Sequence, residues 1–178
     1  IGLFLVASLD LLAGAKLLFV ALAWEEYASG RMDLWRDLRY GYVFFGGLFG
    51  AAAAGAIFAR RRGLSFLRGA DFFAVAVPAA HAVGRLGCLA AGCCHGSPTG
   101  LPWGIVYAHP LCAVPETFRG ILVHPTQAYE AVSLGALAWI AARVLQKVES
   151  GAAGEGAAFA AYLAGYGVLR FVMDFFRG

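Results

Sequence analysis

Arginine and carboxylate side chains interrupt the long apolar stretches of this sequence at a few positions. Arg170, Asp174 and Arg177 are spaced by four and then three residues, which places all three on one face of a helix. This spacing predicts an ion pair between Arg170 and Asp174, and it leaves Arg177 to extend along apolar surface toward water. A charged side chain within an apolar span costs about 3 kcal/mol unless it is paired or faces water, so these residues indicate a polar site.

Arg85 is a second such position, between two glycines in an apolar stretch that holds no acidic residue. Arg170, from another segment, would repel it unless an anion lay between them. Because the planar guanidinium binds phosphate oxygens bidentately, the two arginines favour a phosphate headgroup as ligand. The alternative is a structural pairing of Arg85 with Glu130 or Asp174. His81, one helical turn from Arg85, is interpreted either as a base in the same cavity or as a packed, hydrogen-bonded histidine.

The segment from His124 to Glu130 places a histidine, an amide, a phenol and a carboxylate at the start of an apolar stretch. Its polar members after the histidine are Thr126, Gln127, Tyr129 and Glu130. Pro125 is typical of the first helical position, so the segment is predicted to open a helix. His124 then has two interpretations, as a residue that caps the helix together with Thr126 or as a catalytic group.

Cysteines form a separate cluster, in which Cys88, Cys93 and Cys94 are followed by His95. Their spacing does not match the recurring ligand pairs of a zinc site, so we expect no metal here. Adjacent cysteines rarely form a disulfide with each other. A bridge from Cys112 to one of the other three, or free cysteines packed as small apolar groups, are the remaining interpretations.

The chain that must position these residues has the composition of a membrane protein. Of its 178 residues, 61% are hydrophobic and 14% are charged, against roughly 45–50% and 25% in soluble domains. The mean hydropathy is +0.71. Too little polar surface remains to cover a soluble globule, and disorder is excluded. The net charge of +3 comes from short basic clusters between apolar runs, which indicates orientation in a bilayer rather than nucleic-acid binding.

About five stretches are long enough to cross a bilayer as helices, since a core of roughly 30 Å needs about 20 apolar residues. We therefore predict an all-α, polytopic integral membrane protein with a single transmembrane domain over residues 1–178. The predicted spans are Leu3–Ala23, Tyr42–Ala59, Phe72–Ala91, Thr126–Leu145 and Ala157–Phe176. Because Ile1 already lies in an apolar run, we expect the chain to be the C-terminal part of a longer protein.

Basic residues predict the orientation of these spans. They crowd the connection from Arg60 to Arg68 and flank the connection from Gln146 to Gly156, which assigns both connections to the cytoplasmic side. Residues 92–124 then form an outer-side loop, and the acidic segment with Asp33 and Asp37 lies on the same side. The polar groups of the apolar segments gather at this interface, so we predict a site that faces the outer leaflet.

Four segments resemble motifs of the bacterial prolipoprotein diacylglyceryl transferase family, in the family's order. Phe45-Gly46-Gly47-Leu48 resembles its HGGL segment, and Gly84-Arg85-Leu86-Gly87-Cys88 resembles its GRxGN segment. The run from His124 to Glu130 resembles HPSQLYE. The fourth is a closing set of tyrosine, arginine, acidic residue and arginine: Tyr166, Arg170, Asp174 and Arg177. The likeness extends from about Asp10 to the end of the chain.

This resemblance implies a multi-pass enzyme of the bacterial inner membrane, with its site facing the periplasmic leaflet and without a cofactor. Such an enzyme moves the diacylglyceryl group of phosphatidylglycerol onto the lipobox cysteine in the signal segment of a preprolipoprotein, and glycerol phosphate leaves. Arg85 and Arg170 are then expected to hold the lipid phosphate, with Tyr166 in the same site and His124 as a further catalytic candidate. The expected substrate-binding residues are Gly46, Gly47, Gly84, Gly87, Gln127, Tyr129, Glu130, Asp174 and Arg177.

Three positions depart from the family motifs. Phe45 stands where HGGL has histidine, Cys88 where GRxGN has asparagine, and Cys93 where an acidic residue follows five positions later. Because phenylalanine cannot accept the proton of the incoming thiol, either another histidine substitutes or the two arginines lower the pKa of that thiol. One or two N-terminal spans of the family are also expected to be missing from this chain.

These departures keep two other functions open. A catalytically altered family member could serve as a lipid-binding or structural subunit of a membrane complex, with other membrane subunits as partners. A membrane thiol oxidoreductase that uses Cys88 with Cys93 or Cys94 is the third hypothesis.

Overall fold

The chain divides into two compact units, and the boundary lies between Phe66 and Leu67. The structure is a computed structural model that describes residues 2–33 and 40–177. Asp37 of the predicted acidic segment lies outside the described residues. Each unit is built mainly of helices, because the apolar runs of the sequence satisfy their backbone hydrogen bonds within each run.

The first unit contains three helices, α1 (Gly2–Leu22), α2 (Trp24–Ala28) and α3 (Phe44–Arg62). Glycines on α3 allow it to approach α1 closely. A Cβ atom at Gly47 would lie 3.0 Å from the carbonyl oxygen of Leu11, and one at Gly50 would lie 2.6 Å from that of Asp10. Small residues bring helix backbones together in this way in membrane proteins.

The second unit is built around the helices α4 (Phe66–Ala91), α5 (Thr126–Glu149) and α6 (Ala157–Arg177). Ala74, Ala141 and Ala158, one from each helix, are buried together at its core, and larger apolar side chains surround them. Asp71 near the start of α4 accepts hydrogen bonds from the backbone of Gly156 and Phe159 at the start of α6. α4 and α6 therefore begin at the same end of this unit and run parallel. α5, which lies between them in the sequence, runs in the opposite direction.

Within the described residues, three helices are long and apolar enough to cross a membrane, namely α4, α5 and α6. This agrees with the predicted all-α membrane architecture. The total of about five spans stays a prediction, with α1 and α3 at the positions of the first two. The connection predicted between Arg60 and Arg68 is shorter than expected, because α3 continues to Arg62 and α4 already begins at Phe66.

Residues 92–125 join α4 to α5, and they fold into a small structure of their own. Two short strands, β1 (Ile105–Val106) and β2 (Leu122–Val123), pair antiparallel. Tyr107, Val114 and Val123 form a separate buried core. Burial raises the pKa of Tyr107, so its hydroxyl stays protonated and donates to the carbonyl of Leu89 at 3.3 Å. The predicted loop is thus an ordered cap on the end of α4.

Candidate active site

A buried carboxylate organises the end of the second unit where α5 begins. Glu130 lies in the early turns of α5, and its side chain is 5% exposed. Pro125 immediately precedes the helix, whereas the sequence predicted it at the first helical position. The capping interpretation of His124 is wrong, because Nδ1 of His124 lies 3.3 Å from the hydroxyl of Tyr129 and the helix start has no side-chain cap.

Three guanidinium groups converge on Glu130 from two other helices. Arg85 of α4 pairs through Nε with Oε2. Arg177 of α6 donates from Nη2 to Oε1 at 2.7 Å, and Nη1 of Arg170 lies 3.9 Å from the same oxygen. Nη2 of Arg170 also pairs with Asp174 at 3.0 Å. Both carboxylate oxygens of Glu130 are therefore paired, Oε2 with an arginine of α4 and Oε1 with arginines of α6.

The ion pairs test the pairings that the sequence predicted. The pairing of Arg170 with Asp174 is confirmed. Arg85 has the structural partner Glu130, and Arg170 shares that carboxylate, so the two arginines do meet. The prediction for Arg177 is wrong, because its guanidinium turns inward to Glu130 instead of extending toward water. Spacing along α6 could not reveal this, since the partner belongs to α5.

Positive charge exceeds negative charge in this group. Three guanidiniums face the two carboxylates of Glu130 and Asp174, which leaves one positive charge in excess. The Nε of Arg177 is buried without a hydrogen-bond partner among the described residues. Arg170 is 43% exposed and lies beyond hydrogen-bonding distance of Glu130. The excess charge and the donors of the partly exposed Arg170 are thus available for an anionic ligand.

His81 and Tyr166 face each other one helical turn before the two arginines. His81 precedes Arg85 by four residues on α4, and Tyr166 precedes Arg170 by four residues on α6. The two ring centroids are 6.1 Å apart. The structure therefore brings Tyr166 to the same side of α6 as the charged group. It also places a titratable imidazole one turn deeper than the guanidiniums.

His124 belongs to an aromatic group beside the ion pairs. Its ring contacts those of Tyr129 and Phe176, with centroids 6.1 and 5.3 Å away. The indole of Trp103 donates to the hydroxyl of Tyr129 at 2.8 Å. Sequence reasoning missed Trp103, and its only signal was an aromatic residue with a polar end in the predicted outer loop. Tyr129 is the shared partner of Trp103 and His124.

Two buried side chains at the start of α5 hold the turn that follows α4. Gln127 donates from Nε2 to the carbonyl of Cys93 at 2.6 Å, and Thr126 donates to the carbonyl of Cys94 at 2.9 Å. Gln127 is 1% exposed. It was predicted to bind substrate, and its observed contacts position this turn. Burial raises the pKa of the Cys93 thiol to about 11, and a hydrogen bond involving Cys88 adds to the effect.

Comparison with known proteins assigns the chain to a family. The family described as prolipoprotein diacylglyceryl transferase matches residues 2–178. Phosphatidylglycerol–prolipoprotein diacylglyceryl transferases from three bacteria are among its relatives. The protein of Clostridium tetani is 30% identical over 93% of this chain, that of Geobacter sulfurreducens 34% over 85%, and that of Verminephrobacter eiseniae 37% over 86%.

The chain belongs to the prolipoprotein diacylglyceryl transferase family. Together with the apolar helices, this membership makes it a multi-pass membrane protein. The chain spans 63% of the Clostridium tetani protein, 54% of the Geobacter sulfurreducens protein and 52% of the Verminephrobacter eiseniae protein. It is thus similar to between about half and two thirds of these relatives.

The glycines of the family-like segments lie in two different settings. Gly46 and Gly47 are in α3 of the first unit, where close packing against α1 explains them. At Gly84 and Gly87, which flank Arg85 on α4, an added Cβ would meet no atom of another described element within 4 Å. Packing within the second unit therefore does not require glycine there. Phe45, at the histidine position of HGGL, is 61% exposed.

Proposed function

We propose that this chain forms the lipid-binding and reacting site of a transferase that moves the diacylglyceryl group of phosphatidylglycerol onto the cysteine thiol of a prolipoprotein. The observation that carries the proposal is the convergence of Arg85, Arg170 and Arg177 on Glu130. A buried carboxylate holds the guanidiniums in place, and their excess positive charge suits a phosphodiester. The names of the relatives supply both substrates.

The guanidiniums have a defined role in this reaction. The thiolate sulfur of the acceptor cysteine attacks the C3 carbon of the diacylglycerol moiety. A sulfur–carbon bond forms, the carbon–oxygen bond to phosphate breaks, and glycerol phosphate leaves with the electron pair. Negative charge grows on the departing phosphate, where Arg170 and Arg85 stabilise it more strongly than in the ground state. Arg170 is the residue freest to turn toward the lipid, because it is the most exposed of the three.

The thiol proton requires an acceptor other than Phe45. His81 suits this role best, since it faces Tyr166 one turn from Arg85 and belongs to the same end of the second unit. His124 is directed to Tyr129, and Nδ1 of His95 donates to the carbonyl of Gly96 at 2.9 Å. We assign His81 as the general base and Tyr166 as the residue that orients it.

The site is proposed to face the outer leaflet of the bacterial inner membrane. The end of α4, the start of α5 and the end of α6 carry the polar groups, whereas Arg143 and Lys147 lie toward the other end of α5. Basic residues mark the cytoplasmic side. Phosphatidylglycerol and the signal segment of a prolipoprotein would then approach laterally from the outer leaflet.

Transfer to a lipobox peptide tests the proposal. The full protein, in membranes that contain phosphatidylglycerol, is expected to add one diacylglyceryl group to the peptide, as measured by mass spectrometry. Replacing Arg170 by alanine should lower the rate by about 100–1,000-fold, the usual cost of losing one charge-stabilising donor. Arg143→Ala is the matched control, because that exposed arginine stacks on Trp139 at 5.6 Å, away from the site. Equal loss in both variants, or transfer unaffected by Arg170→Ala, would refute the proposed role.

A lipid-binding subunit without transferase activity is the second candidate, and Phe45 is the observation that favours it. In that case phosphatidylglycerol would bind with the same dependence on Arg170, no product would form, and a stoichiometric membrane partner would co-purify. The thiol oxidoreductase hypothesis is disfavoured with Cys93 as the attacking thiol. A reactive redox cysteine needs a lowered pKa, whereas burial raises the pKa of Cys93 to about 11.

A further inference from the structure

Three cysteine thiols gather where α4 ends. The Sγ atoms of Cys88, Cys93 and Cys94 all lie within 4.8 Å of one another. Cys88 and Cys93 are half-buried, and Cys94 is exposed. The spacing of these residues predicted no metal site, but the turn after the helix brings together sulfurs that the spacing along the chain separates.

The turn that carries the thiols is held rigidly. Cys94 has a φ angle of +57°, in the left-handed region that non-glycine residues rarely adopt. The carbonyls of Cys93 and Cys94 each accept a hydrogen bond from a buried side chain, Gln127 and Thr126 respectively. Oε1 of Gln127 is buried without a hydrogen-bond partner among the described residues. A strained turn that is fixed by buried polar groups is typical of a site whose geometry matters.

We propose that Cys88, Cys93 and Cys94 together bind one thiophilic metal ion, Zn²⁺ or Cu⁺. Thiolates are the ligands that these two ions prefer. With zinc–sulfur bonds of about 2.3 Å, tetrahedral geometry separates the sulfurs by about 3.8 Å, so a closure of about 1 Å completes the site. Each thiol releases its proton to solvent as its sulfur–metal bond forms. The exposed side of Cys94 leaves a position for a further ligand.

A disulfide accounts less well for the same arrangement. Any bridge among the three would leave one thiol unused, and a bridge between the neighbours Cys93 and Cys94 has unfavourable geometry. Three sulfurs that all lie within 4.8 Å of one another match a shared ion better than one disulfide and a third, unused thiol. This inference does not depend on the transferase reaction, so either proposal can fail alone.

Thiol labelling of the full protein tests the metal site without a substitution. Cd²⁺ serves as the thiophilic probe, and alkylation of each cysteine is followed by mass spectrometry. We expect Cd²⁺ to slow alkylation of Cys88, Cys93 and Cys94 by at least about tenfold, because a thiolate bound to metal is not free to attack the alkylating reagent. Cys112 lies in the separate loop core, and its alkylation should be unchanged.

Metal analysis distinguishes the two ions and can be repeated on a matched pair of variants. The full protein, purified without chelator, should carry one ion per chain, and competition with chelators of known affinity identifies it as Zn²⁺ or Cu⁺. Cys93→Ser should abolish this stoichiometry, and Cys112→Ser should preserve it. The proposal is overturned by a disulfide among the three cysteines, by Cd²⁺ that protects all four thiols equally or none, or by metal retained in Cys93→Ser.

Discussion

The two ends of the second unit each bury one carboxylate, and the two are satisfied in opposite ways. Asp71 is fully buried and receives two backbone N–H groups from the start of α6, at 2.7 and 2.9 Å. Glu130 is nearly as buried, but its partners are three arginine side chains. Fourteen residues separate Asp71 from Arg85 on α4, which is about 21 Å along a helix.

Under the proposed function, this contrast separates a structural carboxylate from a functional one. Backbone donors at a helix start cannot leave, and they carry no net charge to attract a ligand, so Asp71 ties α4 to α6. Guanidiniums have further donors, and Arg170 is 43% exposed. In the proposed reaction Glu130 therefore has a role beyond stabilising the bundle, because it aligns the side chains that we propose to bind phosphate. Substitution of Glu130 should therefore lower transfer, whereas substitution of Asp71 should lower stability alone.

Glu130→Gln should lower transfer more than a substitution at Arg177 or Asp71. Without the negative charge, Arg85 and Arg177 repel each other and lose their fixed positions. Misplacement of about 1 Å costs about 100-fold in rate, and loss of one partner of a buried ion pair costs about 3–5 kcal/mol of stability. The rate of diacylglyceryl transfer per folded molecule measures the first effect, and thermal unfolding measures the second. Wild-type rates in this variant would show that Glu130 does not position the arginines.

Arg177→Lys should have an intermediate effect. Lysine keeps the charge but lacks the planar fork, so the contact to Glu130 persists while the spare donor disappears. We expect transfer to fall about tenfold, which corresponds to about 1.4 kcal/mol. Arg119→Lys is the control, because its partner Glu116 is 88% exposed on the outer loop. A transfer rate in Arg119→Lys that differs from wild type, or no loss of transfer in Arg177→Lys, would contradict a role for the contact of Arg177 with Glu130.

Asp71→Ala should lower stability and leave the chemistry intact. Two buried N–H groups lose their acceptor, which we expect to cost about 1–3 kcal/mol. Asp71→Asn retains one acceptor oxygen and should lose less. The free energy of unfolding and the transfer rate per folded molecule are measured together. If Asp71→Ala reduced the transfer rate per folded molecule as strongly as Glu130→Gln does, the two carboxylates would not have the different roles assigned to them.

Much of the helical architecture could be predicted, because apolar run length is a local property. α5 and α6 begin at the predicted residues, Thr126 and Ala157. α4 begins six residues before the predicted Phe72, since the polar Asp71 hid the continuity of the helix. Its hydrogen bonds to the start of α6 make a buried aspartate acceptable there, and no local pattern indicates such a distant partner.

The composition of the site and its Arg170–Asp174 pair were predictable, but the contacts between helices were only partly so. Arg85, Arg170 and Glu130 could be assigned to one end of the bundle from their positions in the spans. The inward turn of Arg177 and the gathering of the thiols could not be predicted. Both depend on contacts between separate elements, in one case between α5 and α6 and in the other between α4 and the turn held by Gln127.

Lipid binding tests the central claim most directly. The full protein can be reconstituted in phosphatidylcholine membranes with a small fraction of phosphatidylglycerol, and the bound lipid quantified by native mass spectrometry. We predict preferential retention of phosphatidylglycerol, reduced by at least about tenfold in Arg170→Ala and unchanged in Arg143→Ala. Equal retention by wild type and Arg170→Ala would contradict the claim that guanidiniums gathered around Glu130 hold the phosphate.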